Sequence, residues 1–292
     1  KGARMGGARI FEGQRVAEIT VQNGTATGVR TAGGQAISAR NVVICGGMWS
    51  RQLGAQHGVN LPLQAAEHYY LITDTIPGLP RDLPVLEDPS THTYYREEVG
   101  GLMLGLFEPG AAAWKLDHIP QDWQFGEIEP DWDRVGPDLE TAYSRVPAAM
   151  TYGVRKLFCG PESFTPDLAP LVGPVPELRN LWVACGMNSL GILNGAGTGM
   201  VLAHWMVDGR PPIDVTGINV NRFSREFSTP AFRRDRTPEL LGKLFGQHFH
   251  NEGFKTGRHV KRSALYDRLH AAGAWFTEGN GWEQPDWFAP TS

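Results

Sequence analysis

A mixed α/β (α+β) fold is what this sequence predicts, and three observations carry that expectation. Two short apolar runs, Val42-Val-Ile-Cys45 and Leu181-Trp-Val-Ala-Cys185, end in glycine and lead toward helical patterns, as buried parallel strands do. Between them, Ala66 to Pro109 holds several runs of strand formers broken by Pro, Gly and Asp, which suggests an antiparallel sheet. Finally, the stretch Trp182 to Met200 passes from an apolar strand through a glycine-spaced turn into an apolar helix, Met200 to Val207. Such a turn presents bare backbone N–H groups and a helix N-terminus to something electron-rich.

In chain order, Arg15 to Gln22 alternates, Asn23-Gly24 makes a tight turn, and Thr25 to Arg30 alternates again, so residues 9 to 45 read as a small β-unit. Val42 to Cys45 is expected to be a buried parallel strand that turns through Gly46-Gly47 into a helix. Three segments, Tyr69 to Thr73, Thr93 to Glu97 and Gly101 to Phe107, supply the antiparallel sheet. Asp117 to Val135 reads as a capping loop and the start of a helix, and Leu139 to Val146 has weak helical periodicity. After Asp214 the pattern changes: Val215 to Arg222 is strand-like, Thr237 to Phe249 helical, and Ala264 to Phe276 a helix running into a strand.

The bulk numbers narrow the classes. A chain of 292 residues holds one large domain or two modest ones. Its 27 basic and 31 acidic residues leave a net charge of −4 without a long charge run, so no nucleic-acid or membrane-surface partner is expected. No apolar stretch approaches the ~20 residues that span a bilayer. The cysteines, Cys45, Cys159 and Cys185, read as buried reduced thiols, and their spacing fits no metal site. That usage suggests a reducing compartment: the cytoplasm, or the mitochondrial matrix in a eukaryote. The sequence opens on Lys1 with no initiator methionine or targeting segment, and is expected to begin within a longer protein.

The segment Phe158-Cys-Gly-Pro-Glu-Ser-Phe-Thr-Pro-Asp-Leu-Ala-Pro through Leu181, followed by Cys185-Gly-Met-Asn-Ser-Leu-Gly-Ile192, resembles the closing flavin-binding segment of the D-amino-acid-oxidase-like FAD oxidoreductases. Within them it is most similar to the dimethylglycine and sarcosine dehydrogenases. The resemblance implies a partial FAD-binding, Rossmann-like flavin domain with an inserted antiparallel substrate-domain sheet, followed by a small linker module. It divides the chain into 1–60 (flavin domain), 61–154 (substrate sheet), 155–213 (closing flavin segment) and 214–292 (a linker preceding an aminomethyltransferase-like domain). The Gly-x-Gly-x-x-Gly fingerprint that opens intact members is not found in this sequence.

A reduced flavin carries negative charge near N1 and C2=O, so its site needs positive dipole without a side chain over the ring. The resemblance assigns that role to Gly186, Met187, Asn188, Ser189, Leu190, Gly191 and Ile192. Gly195, Gly197 and Gly199 are expected to let the following helix approach the sheet. It also places Gly46, Gly47 and Trp49 at the FAD, and Val16 beside its adenine. Amine oxidation further needs a neutral nitrogen, hence a proton acceptor in the substrate pocket. The motif Glu67-His-Tyr-Tyr-Leu-Ile-Thr resembles the family's His-x-Tyr-x-x-Thr segment, and Tyr94-Tyr-Arg its Tyr-x-Arg strand. By that carry-over His68 and Tyr95 are the catalytic candidates, with Tyr70 and Tyr94 as alternates by strand parity. Each has a plainer reading, a satisfied histidine at a strand edge and a core aromatic. Arg96 is either a partner for a substrate carboxylate or half of a surface ion pair, and His204 and Trp205 read as core or interface.

The function implied is FAD-dependent oxidation of an N-methylated glycine, such as dimethylglycine or sarcosine, by hydride transfer to flavin. Electrons would pass to an electron-transfer flavoprotein or oxygen, and tetrahydrofolate is a possible partner of the full-length protein. The alternatives are a non-catalytic regulator on the same scaffold, as in the pyruvate dehydrogenase phosphatase regulatory subunit, and an FAD oxidase of another amine or amino acid. A pocket filled by side chains would favour the regulator.

Overall fold

A computed structural model describes residues 1–249 and 252–289, so residues 250–251 and 290–292 of the 214–292 segment lie outside the described residues. After a one-turn helix α1 (Gly2–Met5), the alternating segments form a meander of β1 (Val16–Gln22), β2 (Thr25–Thr31) and β3 (Ala36–Ser38). Asn23 and Gly24 both take positive φ, 51° and 71°, which is the geometry that closes a two-residue hairpin. Next come β4 (Val42–Ile44), a short 3-10 turn and α2 (Ser50–Ala55).

The substrate-side sheet is built from β5 (Gln64–Thr73), β6 (Leu86–Asp88), β7 (Thr93–Glu98), β8 (Gly101–Leu106), β9 (Ala113–Trp114) and, after helix α3 (Trp132–Arg145), β10 (Val154–Phe164). Its order is β10-β5-β8-β7-β6, antiparallel throughout, with β9 also paired to β5. Asp131 caps α3 by accepting from Arg134 N at 3.1 Å. The helix then buries Val135, Leu139 and Ala142, at i, i+4 and i+7, against Tyr69, Leu71, Tyr95 and Leu104 of the sheet. The opposite sheet face is free of that helix.

The chain returns through β11 (Leu171–Pro174) and β12 (Leu181–Cys185) to helix α4 (Gly191–Asp208). As expected, β4 pairs parallel with β12, Val43 opposite Trp182, but it lies at the end of its sheet with Val43 exposed, so it is an edge strand buried on one face only. The helix starts at Gly191, well before Met200, so the glycine-spaced run is its first turns and not a loop. Only Thr198, Val201 and Leu202 of α4 are buried; an added Cβ at Gly195, Gly197 or Gly199 would meet nothing within 4 Å. The expectation that these glycines bring α4 onto the sheet is therefore corrected: they lie on its open side.

The remainder holds α5 (Pro230–Phe245), α6 (Tyr266–Ala271), β13 (Ala274–Gly279) and β14 (Trp282–Phe288), the last two forming a hairpin. Val215 to Arg222 is not a strand; it is turns ending in a 3-10 helix at Val220–Arg222, with a single bridge from Asn219 to Val172. Helix α5 begins at Pro230, seven residues before the expected start. Thr229 caps it, and its first turns bury Arg233 and Arg236. Cys159 and Cys185 are buried as expected, whereas Cys45 is exposed.

Candidate active site

The sheet face opposite α3, where α5 packs beside Ala66 and brings Phe245 to the edge, forms one wall of a cavity of about 730 Å³. Strand parity selects its residues. Gly160 opposes His68, Tyr70 and Tyr94 both oppose Gly105, and these positions share the face away from α3. Tyr94 lies flat on Gly105, where a Cβ would sit 1.8 Å from Tyr94 Cζ, so the glycine makes room for the ring. Tyr70 stacks on Phe158 at 4.7 Å, and Phe107 lies 5.1 Å from the His68 ring and 4.0 Å from Phe245. The result is an aromatic chamber with His68 in its wall.

His68 is buried and its Nδ1 lies 3.0 Å from Glu108 Oε2. A carboxylate only accepts, so Nδ1 carries the hydrogen, and in the neutral ring Nε2 keeps the lone pair. The other oxygen, Oε1, accepts from Tyr69 N at 2.8 Å, which pins the carboxylate to the strand itself. Burial alone lowers the His68 pKa, but the hydrogen bond and charge of Glu108, with the charge of Glu162, outweigh it and hold the ring above its ordinary value. Glu108 was not singled out from sequence. Its only signal is a charge closing the apolar run Gly101 to Phe107, just before Pro109.

Tyr95 does not join His68. It points to the α3 face, is buried, and donates its hydroxyl hydrogen to Ala142 O at 2.8 Å. The tyrosines that share the His68 cavity are the two alternates, Tyr70 and Tyr94. Burial, followed by the charge of Glu162, raises the Tyr94 hydroxyl pKa. Arg96 sits at the cavity margin but is half exposed and bonded to Glu98 at 2.6 Å. His204 is a surface residue beside Asp208, and Trp205 covers Gly173.

The glycine turn meets the same cavity through Ser189 and Leu190. Gly186 has φ +67°, and a Cβ there would come within 2.6 Å of Thr165 and Leu63. Asn188 and Ser189 also take positive φ, 51° and 65°. Buried Asn188 holds this backbone by accepting from Thr165 N at 2.8 Å and donating to Gly186 O at 2.6 Å. Met187 is half-buried beneath Gly191. Among the described residues no side chain caps α4, so its first N–H groups and positive dipole end are left for another acceptor. Ile192 projects fully exposed from that first turn. A flavin edge bearing negative charge fits this end of the chamber.

Gly46, Gly47, Trp49 and Val16 are not among the cavity residues. Gly47, at φ +53°, opens the 3-10 turn after β4. Trp49 donates to Pro120 O at 2.9 Å, tying down the loop whose Trp123 closes the chamber. Val16 is exposed at the start of β1. Among the described residues, no group of three or more His, Cys, Asp and Glu is placed to hold a metal ion, and no helix is long and apolar enough to cross a membrane.

Comparison with known proteins shows the family. Residues 1–205 match the family of FAD dependent oxidoreductases, DAO, and residues 208–263 match the FAD dependent oxidoreductase central domain. The chain is 38% identical to 4-methylaminobutanoate oxidase (formaldehyde-forming) of Paenarthrobacter nicotinovorans, over 97% of this chain and 34% of that protein. It is 34% identical to human mitochondrial sarcosine dehydrogenase, over 96% of this chain and 29% of that protein. It thus spans about a third of the length of these relatives. Among solved structures, L-proline dehydrogenase from P. horikoshii superposes with a TM-score of 0.63 at 21% identity, covering 76% of this chain and 57% of the other, and shares the fold.

Proposed function

Because the chain belongs to the DAO family of FAD-dependent oxidoreductases, we propose that it provides the substrate chamber and flavin-facing turn of an amine dehydrogenase or oxidase acting on an N-methylated amino acid, such as dimethylglycine or sarcosine. The observation that carries this reading is the Glu108–His68 pair in the wall of an aromatic cavity that ends at the Gly186–Gly191 turn. FAD, the family's cofactor, would supply the hydride acceptor, and the backbone of that turn with the N-terminus of α4 would hold it.

The chain's own residues do the rest. A protonated amine has no lone pair to support loss of hydride, so the ammonium proton must leave first. Neutral His68 takes it on Nε2, while Glu108 on Nδ1 keeps the ring oriented and stabilises the resulting imidazolium. Tyr70, Phe107 and Phe158 line the same space with apolar ring surface. The relatives named for N-methylated amines support the substrate class. Electron-transfer flavoprotein or oxygen as acceptor, and tetrahydrofolate as a partner of the full-length protein, follow from the same reading. The regulator reading expects a chamber filled by side chains, and the chamber is open.

The test is anaerobic stopped-flow reduction of the full-length flavoprotein by dimethylglycine, sarcosine, 4-methylaminobutanoate and proline. Bleaching by at least one N-methylated substrate, with proline slower, is expected. A flavin that none of the four reduces would overturn the proposal, and reduction by proline alone would replace the substrate class.

A further inference from the structure

We propose that Glu162 is the residue that recognises the positive charge of the substrate amine, and that it selects alkylated ammonium groups over neutral molecules of the same shape. The proposal rests on the amine-oxidoreductase reading above and adds a residue to it.

Glu162 lies on β10 opposite Ala66, two positions beyond Gly160, which opposes His68. It therefore points from the same sheet face as His68 and lines the same chamber. Its Oε2 is buried and has no hydrogen-bond partner among the described residues. A carboxylate with one oxygen taken out of water and left without a partner is unfavourable, and its natural complement is a cation in the chamber that the Glu162 side chain lines.

The other charged groups of the chamber are already engaged or lie outward. Glu108 accepts from His68 and from Tyr69 N, so neither of its oxygens is free. Glu87 is exposed, and Arg96 is bonded to Glu98. The surroundings of Glu162 suit an alkylated ammonium better than a primary one. Tyr70, Tyr94, Phe107 and Phe158 offer ring faces, which attract a diffuse cation, and few acceptors for a fan of N–H donors. The charge of Glu162 already acts on its neighbours, since it contributes to the raised pKa of both His68 and Tyr94.

Betaine and 3,3-dimethylbutanoate test this, because they share one shape, differ by one positive charge, and cannot be oxidised at nitrogen. Their dissociation constants are read from the flavin difference spectrum of the full-length protein, alongside the stopped-flow dissociation constant of dimethylglycine. Wild type is expected to prefer betaine. Glu162→Gln should weaken betaine and dimethylglycine at least tenfold while leaving 3,3-dimethylbutanoate within twofold, and Glu162→Asp, which keeps the charge, should recover most of the loss. Equal weakening of charged and neutral ligands, no weakening, or a wild type that does not distinguish the pair would each overturn the role of Glu162. The parent reading fails separately, when no amine reduces the wild-type flavin.

Discussion

Glu108 decides which nitrogen of His68 faces the chamber, and this makes the site's pH dependence a sharp test. His68 must be neutral to accept a proton, and its pKa is held above 6.5 by Glu108 and Glu162 against the effect of burial. The limiting rate of flavin reduction should therefore rise with pH through an apparent pKa above 6.5. Replacing Glu108 by Gln removes a group that raises that pKa, so the rising limb should move to lower pH; a limb that stays put would mean that His68 is not the group being titrated. His68→Ala should leave FAD bound and slow reduction by ~10²–10⁴-fold, the usual contribution of a positioned acid or base. Tyr95→Phe should behave oppositely. It strips a buried carbonyl, Ala142 O, of its donor and should cost ~1 kcal/mol of stability in denaturant melts with the reduction rate unchanged. The motif pointed to this strand from sequence, but two adjacent tyrosines face opposite ways, and only the position of α3 says which way is the core.

At the scale of elements, the substrate sheet was readable because β5, β7 and β8 are long runs of strand formers bounded by turn residues. Helix α4 was harder. Its sequence is apolar nearly all round, which reads as burial, yet Ile192, Leu193, Met200 and Val207 are exposed and only one stripe packs on β11 and β12. Glycines in and before it consequently serve two different ends. Gly186 is demanded by this chain's own packing, since a side chain there would strain a left-handed residue and strike Thr165 and Leu63. Gly191 is not, because an added Cβ would touch only Met187 at an ordinary 3.6 Å. Gly186→Ala should therefore lower the melting temperature of the flavin-free protein. Gly191→Leu should leave that temperature unchanged and abolish flavin incorporation, because the new side chain would project beside the uncapped N-terminus of α4. Normal flavin content in the second variant would move the cofactor away from this turn.

For the whole molecule, the segment beyond residue 214 is bound into the rest by packing as well as charge. Val220, Phe223, Phe227 and Phe232 share one core with Ile19, Ile44 and Leu181. Arg222 clasps Asp167 with two bonds of 2.7 Å, and buried Arg236 meets Glu278 at 2.6 Å while donating to Pro166 O. Sequence could not foresee this, because arginines read as solvated until their partners, 42 and 55 residues away, are in place. That side is closed, whereas the side bearing α4 is open: its apolar residues stand exposed, and among the described residues β4 ends the β11-β12-β4 sheet with an unpaired edge. Exposed apolar surface and open strand edges favour association. No Gly-x-Gly-x-x-Gly turn joins a strand to a helix in this sequence to hold a pyrophosphate, so of the FAD contacts proposed above this chain offers only the Gly186–Gly191 turn and the start of α4. The 292-residue chain expressed alone should accordingly purify colourless, elute larger than its 32.1 kDa, and bind an apolar dye. Replacing Ile192, Leu193 and Val207 together by Lys should shift it toward monomer without restoring flavin. A yellow monomeric preparation of the unaltered chain would show that these residues alone make a complete FAD site and that the exposed face of α4 has no part in it.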